Sequence, residues 1–370
     1  MNNLKSLFRK NVLNFFGKRL NGKFVVFESD DWGSERIPSK KVLGQLDSLG
    51  AKLRRNPFNY LDSLETEDDL SALFNVLTKY KDKKGNHPVI TANSVVTNPD
   101  FNKIKESGFK KYFFEIVTES YKNKKDCNNS FRIIQEGINI GVYQPQFHGR
   151  EHVNVNQWLS ALQSGDRILL SAFEKGIYGI DVDNTISKRD NFMAAFDGIN
   201  EFDKKSHEII IKEGTSIFKE LYGFNSKSFI APCYVWHPSL EKVLKEHGIE
   251  YFQGLPVQMS PHSTNNYKNI YHYQGQKNNL KQRYFVRNCF FEPSLNPGKD
   301  LINECIERLK IIFFWGKPAI IGTHRINFAG TLDENNRKNN LKQLSDLLKT
   351  ILKLWPDVEF ISTDQLGELY

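Results

Sequence analysis

The sequence predicts an α/β fold on a mainly parallel sheet, and three observations support this. Short apolar, β-branched stretches alternate along the chain with longer segments of helical periodicity, the pattern of βαβ units. The 370 residues fit a single α/β barrel that carries insertions. Asp30, Asp31, His148, Pro232 and His324 each directly follow a predicted strand, and parallel sheets gather their sites at the carboxyl ends of strands.

Residues 1–21 form a basic amphipathic segment. In it Leu4, Leu7, Phe8, Val12, Phe15 and Phe16 recur at roughly helical spacing between Lys5, Arg9, Lys10, Lys18 and Arg19. The segment lacks the unbroken apolar run of a secretory signal. A helix docked on its own domain is expected, with peripheral contact to a membrane surface as the second reading. Residues 23–29 read as a buried strand running into Asp30-Asp31-Trp32-Gly33. Further strands are read at 89–96, 142–147, 228–231, 318–322 and 358–362,. Helical patterns cover 67–80, with acidic residues in its first turn, then 156–164, 203–222, 238–247 with Gly248 at its end, 300–315 and 336–355,. The polar stretch 259–282 reads as a surface excursion. Residues 22–370 are thus expected to form one domain, with a large insertion between about 34 and 140.

The formal net charge is +8. The Lys residues are scattered rather than gathered in one arm, so a solvated surface outweighs a nucleic-acid partner, and none is expected. Cys127, Cys233, Cys289 and Cys305 show no C-x-x-C spacing. This argues against a thiolate zinc site and a secreted disulfide scaffold. Reduced thiols and a cytoplasmic location are the expectation. No run of about 20 apolar residues occurs, so no membrane span is expected.

His148-Gly-Arg-Glu-His152 places two imidazoles at i and i+4. On a helical turn they would share one face and could bind one cation. The order is not H-E-x-x-H, which argues against a zincin-type protease. Two adjacent acids closing a buried strand, Asp30 and Asp31, are costly unless something pairs with them. If one of the two completes a two-His-one-Asp site, the other stands beside an activated water as a general base. A further His, such as His324, can protonate a leaving group. Tyr143, Trp158, Tyr234 and Trp236 lie near these motifs and could stack on sugar faces.

In order and form these motifs resemble the polysaccharide deacetylase (NodB-homology, carbohydrate esterase family 4) family. Residues 27–33 resemble its first motif, a strand ending in an Asp pair, and residues 148–152 its second, H-x-x-x-H. Residues 229–234 resemble the third, a strand ending in Pro and an aromatic residue, and 321–324 the fifth, a strand ending in His. Residues 358–366 resemble the last strand. The similarity spans about residues 22–370 at motif level. It implies a distorted (β/α) barrel with Asp31, His148 and His152 as metal ligands, Asp30 as general base and His324 as general acid. A backbone N–H of the third motif, from Cys233 or Tyr234, would complete the oxyanion site. Trp32 stands where the family has Gly, and the Arg that orients the base is missing from the third motif. Arg287, Arg150 and Arg325 are candidates to replace it, Arg287 foremost. Trp32, Trp236 and Arg150 are further candidates for substrate contact.

The resemblance implies hydrolysis of an acetyl group, foremost an N-acetyl on a sugar, in building a surface polysaccharide. Zn²⁺ is the expected metal, with Co²⁺, Mn²⁺ or Ni²⁺ as substitutes. The substrate would be an acetylated sugar, with nucleotide- and lipid-linked forms among the candidates. Two rival readings are a two-His-one-carboxylate iron enzyme and a non-catalytic glycan- or nucleic-acid-binding protein on the same fold. Oligomeric state is not legible in the sequence.

Overall fold

A computed structural model of the chain describes residues 2–51, 53–181, 189, 191–198, 200–263 and 266–370. The side chains of residues 2–7 and 9 are outside the description, so Leu4, Lys5, Leu7 and Arg9 are not placed.

The first strands are β1 (Lys23–Trp32), β2 (Ile90–Val95), β3 (Thr97–Pro99), β4 (Phe114–Ile116), β5 (Tyr143–Gly149), β6 (Ser228–Phe229) and β7 (Tyr251–Gly254). They are followed by β8 (Val257–Ser263), β9 (Asn266–Tyr271), β10 (Gln276–Lys277), β11 (Arg283–Val286), β12 (Cys289–Phe290), β13 (Ala319–His324) and β14 (Val358–Phe360). The main sheet runs β10-β11-β7-β6-β5-β2-β1-β13-β12, with β14 also on β1, and every pair except β10–β11 is parallel. Only Arg287 and Asn288 separate β11 from β12. One extended stretch, residues 283–290, therefore pairs with β7 at its start and β13 at its end. The sheet curls until its two margins meet on that stretch, which makes a distorted (β/α) barrel.

Alternation along the strands builds the layers. On β1, Val25 and Phe27 pack outward with Ile321 of β13 and with Leu344 and Leu348 of the helix Glu334–Leu354. Val26 packs inward with Ile320, Phe285, Tyr251 and Leu366 as an apolar floor. Above that floor the interior turns polar: Glu28, Asn93, Gln253, Ser228 and Arg287 are all buried. The helix Glu67–Leu77 starts at a capping box of Thr66 and Asp69, which satisfies two of its open N–H groups. The helix Glu201–Tyr222 ends at Gly223 in the left-handed region, the usual helix stop.

Each predicted strand and helix has its counterpart, with ends shifted by a few residues. The sheet members β7, β11 and β12 were not read from the sequence. They are two to four residues long, too short to show a period, and tertiary pairing defines them. Residues 259–282 leave the barrel as the antiparallel hairpin β8–β9 and return to it through β10. Residues 34–140 are not one excursion, because β2 lies between β1 and β5 in the main sheet. The parts outside the barrel are residues 34–66 and the arm around β3–β4. No helix among the described residues is long and apolar enough to cross a membrane.

The segment before residue 66 is tied down by charge. Arg325, 1% exposed, donates to Asp62 at 3.0 and 3.2 Å and to Glu65 at 2.8 Å. Glu65 in turn accepts from Gly33 N–H at 2.9 Å and from the Tyr121 hydroxyl. Gly33 is required here: its φ is +77°, and a Cβ would lie 2.7 Å from the Val95 carbonyl oxygen,. Removing the guanidinium strands two buried carboxylates. Arg325→Ala is expected to cost about 3–5 kcal/mol of stability, read as a lower midpoint in urea unfolding. An unchanged midpoint would show that the pairing is not structural.

Candidate active site

The site lies at the carboxyl ends of β1, β5, β6 and β13, around one cavity lined by Asp30, Asp31, His148, His152, Tyr234 and His324, among others. Successive residues of a strand point to opposite faces, so Asp30 and Asp31 should diverge. They do not, because Asp31 has φ +75° and the β1–β2 register shifts between Ser29 and Trp32. This bulge turns both carboxylates toward the cavity. A second register shift, opposite Ser94 and Val95, falls at His148. There Gly149, at φ +124°, leads the chain into an irregular turn that carries His152. The two imidazoles therefore meet across a strand end, not on the helical turn their spacing suggested. Their ring centroids are 4.9 Å apart. Cys233 and Tyr234, after β6, have φ values of +56° and +59°. Three left-handed non-glycine residues at one site, each costing about 1–3 kcal/mol, mark a functional constellation.

Asp31 Oδ1 lies 2.9 Å from His152 Nε2 and 3.4 Å from His148 Nε2. Its other oxygen faces Arg36 Nη2 at 3.4 Å. Burial would raise the Asp31 carboxyl, but the two imidazoles and Arg36 outweigh it and hold it well below the usual range. Burial pushes His152 down to about 4, only partly offset by Asp31. His148 Nδ1 is 2.9 Å from the Ile230 carbonyl oxygen. A carbonyl only accepts, so Nδ1 carries the proton and, in the neutral ring, Nε2 is a bare lone pair. That lone pair faces a carboxylate oxygen and has no hydrogen-bond partner, and His152 Nδ1 is likewise buried without one. An acceptor aimed at an acceptor is unfavourable unless a cation stands between them. The three ligand atoms lie within 4.8 Å of one another, and His148's bond to a carbonyl is the outer support typical of a metal-binding imidazole. These residues fit a divalent ion.

Asp30 is held separately. Arg287, fully buried, donates Nη2–H to Oδ1 at 2.6 Å, Nη1–H to Oδ2 at 2.7 Å and Nε–H to Glu28 at 2.8 Å. Asn93 adds a bond to Oδ1 at 2.7 Å. Burial opposes the charge on Asp30, but Arg287 outweighs it, with His324 and His148 adding, and holds the carboxyl at about 2. Gly322 makes room for the guanidinium, since a Cβ there would lie 2.7 Å from Arg287 Cδ. His324 is the register partner of Asp30; its Nε2 lies 3.6 Å from Asp30 Oδ2 and its Nδ1 2.6 Å from Glu292. Burial would lower His324, but Glu292 and then Asp30 outweigh it and raise the ring to about 9.

Of the three arginines considered, Arg287 is the one that reaches Asp30. Arg325 serves Asp62 and Glu65, and Arg150 pairs with Glu151 and Glu213 beneath Phe114, away from the cavity. Trp32 is a core residue bonded to Ser29 and packed on Tyr143 and Phe328. Trp236 stacks on Phe252, and Trp158 and Tyr143 are buried in the core. None of these four rings lines the cavity; Tyr234 and Cys233 do. Tyr234 N–H donates to the Ala231 carbonyl oxygen, which leaves Cys233 N–H as the candidate oxyanion donor. Arg36, Glu292 and Asn93 were not singled out from the sequence. Glu292 follows Arg287 by five residues on the same stretch, the one clue available; Arg36 and Asn93 carry no motif.

The metal assignment predicts about one divalent ion per chain, measured by elemental analysis of purified protein. Asp31→Ala, His148→Ala and His152→Ala should each lose it, while Glu292→Gln should not. A metal-free wild type after reconstitution with Zn²⁺ would overturn the assignment.

No family profile matches the chain, and no curated protein matches it. Solved structures with a similar course of chain include a 4-α-glucanotransferase from Thermococcus litoralis, 11% identical, TM-score 0.46, covering 95% of this chain. This chain spans only 41% of that enzyme's length. A protein from Mycobacterium smegmatis provisionally named a polysaccharide deacetylase is 12% identical, TM-score 0.44, with 96% of this chain and 94% of that one covered. A third, from Parabacteroides distasonis, provisionally named a glycoside hydrolase/deacetylase, is 10% identical, TM-score 0.48, with 95% and 72% covered. What the site can do follows from its own side chains.

Proposed function

We propose that this chain is a metal-dependent hydrolase that removes an acetyl group, foremost N-acetyl, from a sugar during assembly of a surface polysaccharide. One observation carries the reading. Two carboxylates adjacent in sequence face one cavity with separate partners, Asp31 with two imidazoles and Asp30 with Arg287 and His324. That division supplies a cation site, a base and an acid, the three requirements of amide hydrolysis. The two-His-one-Asp donor set suits Zn²⁺, with Co²⁺, Mn²⁺ or Ni²⁺ as substitutes. Phe58 and Tyr234 on the cavity wall offer rings for a sugar face, and the reading extends to a nucleotide- or lipid-linked sugar. Such a substrate is consistent with a cytoplasmic step.

Asp30 and His324 divide the proton work. Oδ1 of Asp30 is filled by Arg287 and Asn93, whereas Oδ2 accepts only from Arg287 and keeps a lone pair for a water proton,. A bound divalent cation supplies the acidity of the attacking water and polarises the acetyl carbonyl, which offsets the weak basicity of Asp30. As the C–O bond forms and the C–N bond breaks, His324 gives its Nε2 proton to the departing nitrogen. Glu292 holds Nδ1 and keeps the ring charged at neutral pH. The products are acetate and the free amine.

Asp30→Asn should keep its metal and lose roughly two to four orders of magnitude in deacetylation rate, the usual weight of a general base. Loss of metal in that variant would mean that the pair shares the ion. His324→Ala should lose most activity on N-acetyl substrates and much less on an activated aryl acetate, whose leaving group needs no proton. In the wild type the amide activity should fall as pH rises through the His324 titration, because the acid is present only below it. Glu292→Gln should move that alkaline limb to lower pH. Equal losses on both substrates, or an unmoved limb, would take the acid role away from His324.

A further inference from the structure

The helix Asn2–Phe15 docks by polar residues and turns an apolar stripe outward. Asn14, 3% exposed, accepts from Asn288 Nδ2 at 3.0 Å, and Asn11 accepts from Trp315 Nε1 at 2.9 Å. Phe8, Val12 and Phe15, spaced to share one helix face, are 70%, 42% and 56% exposed. The stripe continues across the surface as a chain of rings. Phe15 meets Phe16 at 5.1 Å and Trp315 at 5.2 Å, Trp315 meets Phe314 at 5.5 Å, and Phe16 meets Tyr273 at 6.3 Å. Phe16 and Phe314 are 55% and 78% exposed. A soluble surface seldom leaves so many neighbouring rings in water without a use for them.

The segment that carries most of the ridge is basic. Residues 1–27 contain Lys5, Arg9, Lys10, Lys18, Arg19 and Lys23 and no acidic residue. Arg19 lies over the Trp315 ring and Lys18 over the Tyr370 ring. Exposed aromatics bordered by basic residues such as Lys10, Lys18 and Arg19 match an anionic lipid surface, where rings enter the interface and cations meet phosphates. We infer that this ridge seats the protein on an anionic membrane. The ridge adjoins the start of β13, through the Leu20–Gly316 backbone bond, whereas the far end of β13 carries His324. The cavity therefore opens at the end of the barrel away from the lipid, toward groups that project into water.

The test is flotation of the purified full chain with vesicles of phosphatidylglycerol and phosphatidylcholine in equal parts. Wild type is expected to float at low salt and to release as salt rises. Phe8→Ser/Phe314→Ser and, separately, Lys10→Glu/Lys18→Glu should each weaken binding by about tenfold or more. Phosphatidylcholine alone should bind none of them. Thermal unfolding checks that the variants fold, and the charge pair stands as an independent arm should the Phe pair not. Failure of wild type to float, or equal flotation of the variants, overturns the inference. So does a wild-type dimer in sedimentation velocity that the Phe substitutions convert to monomer, which would make the ridge an interface between copies of this chain.

Discussion

The buried guanidinium of Arg287 is the constraint on which the site depends. It sits on the two-residue link between β11 and β12, where the two margins of the curled sheet meet, and is fully buried. A charge there is tolerable only with partners, and Glu28 and Asp30 supply them,. Closing the barrel and orienting Asp30 are therefore one event. The polar column beneath continues the network, with Asn93 donating to Gln253 and Gln253 donating to Ser228. Thr363 serves Glu28 from the C-terminal helix, Thr363–Glu368. Burial raises the Glu28 carboxyl against the pull of Arg287, so the lower of the two acids bears the strain of the charge while Asp30 stays ionised.

Charge balance around the cavity points the same way as the orphaned imidazole atoms. Glu28, Asp30, Asp31, Asp62, Glu65 and Glu292 are buried with Arg36, Arg287 and Arg325, and His324 stands half-buried beside them. With all as ions, the carboxylates exceed the cations by two charges. A single divalent ion at Asp31, His148 and His152 would offset that excess among these groups. Burial raises Asp62 as well as Glu28, outweighing the arginines beside each,.

Backbone strain carries the rest of the arrangement. Regular strands would send Asp30 and Asp31 to opposite faces and leave His148 and His152 apart. The left-handed turn at Asp31, the register shift at His148 and the double left-handed turn at Cys233 and Tyr234 re-aim these side chains into one cavity. Such geometry holds only because the surrounding sheet and ion pairs over-determine it.

The sequence by itself determined the alternating fold, the carboxyl-end placement of the site, and the residue types for a cation, a base and an acid. These are local properties: periodicity, turn residues and short motifs. The family resemblance further implied a substitute for its missing guanidinium, with Arg287 foremost of three candidates. What only the tertiary structure decided is who meets whom. Arg287 was chosen over Arg150 and Arg325 because the closure of the barrel puts residue 287 beneath Asp30, some 257 positions away in sequence. Trp32, Trp158 and Trp236 look like sugar platforms beside their motifs, yet they fill the core, because alternation and bulges set which face a ring takes. Arg36, Asn93 and Glu292 act through partners distant in sequence, and no local pattern marks them. The N-terminal helix looked amphipathic either way; only its docking through Asn11 and Asn14 decided that the apolar stripe faces out, because those two amides bond Trp315 and Asn288 of the domain while Phe8 and Phe15 stay exposed.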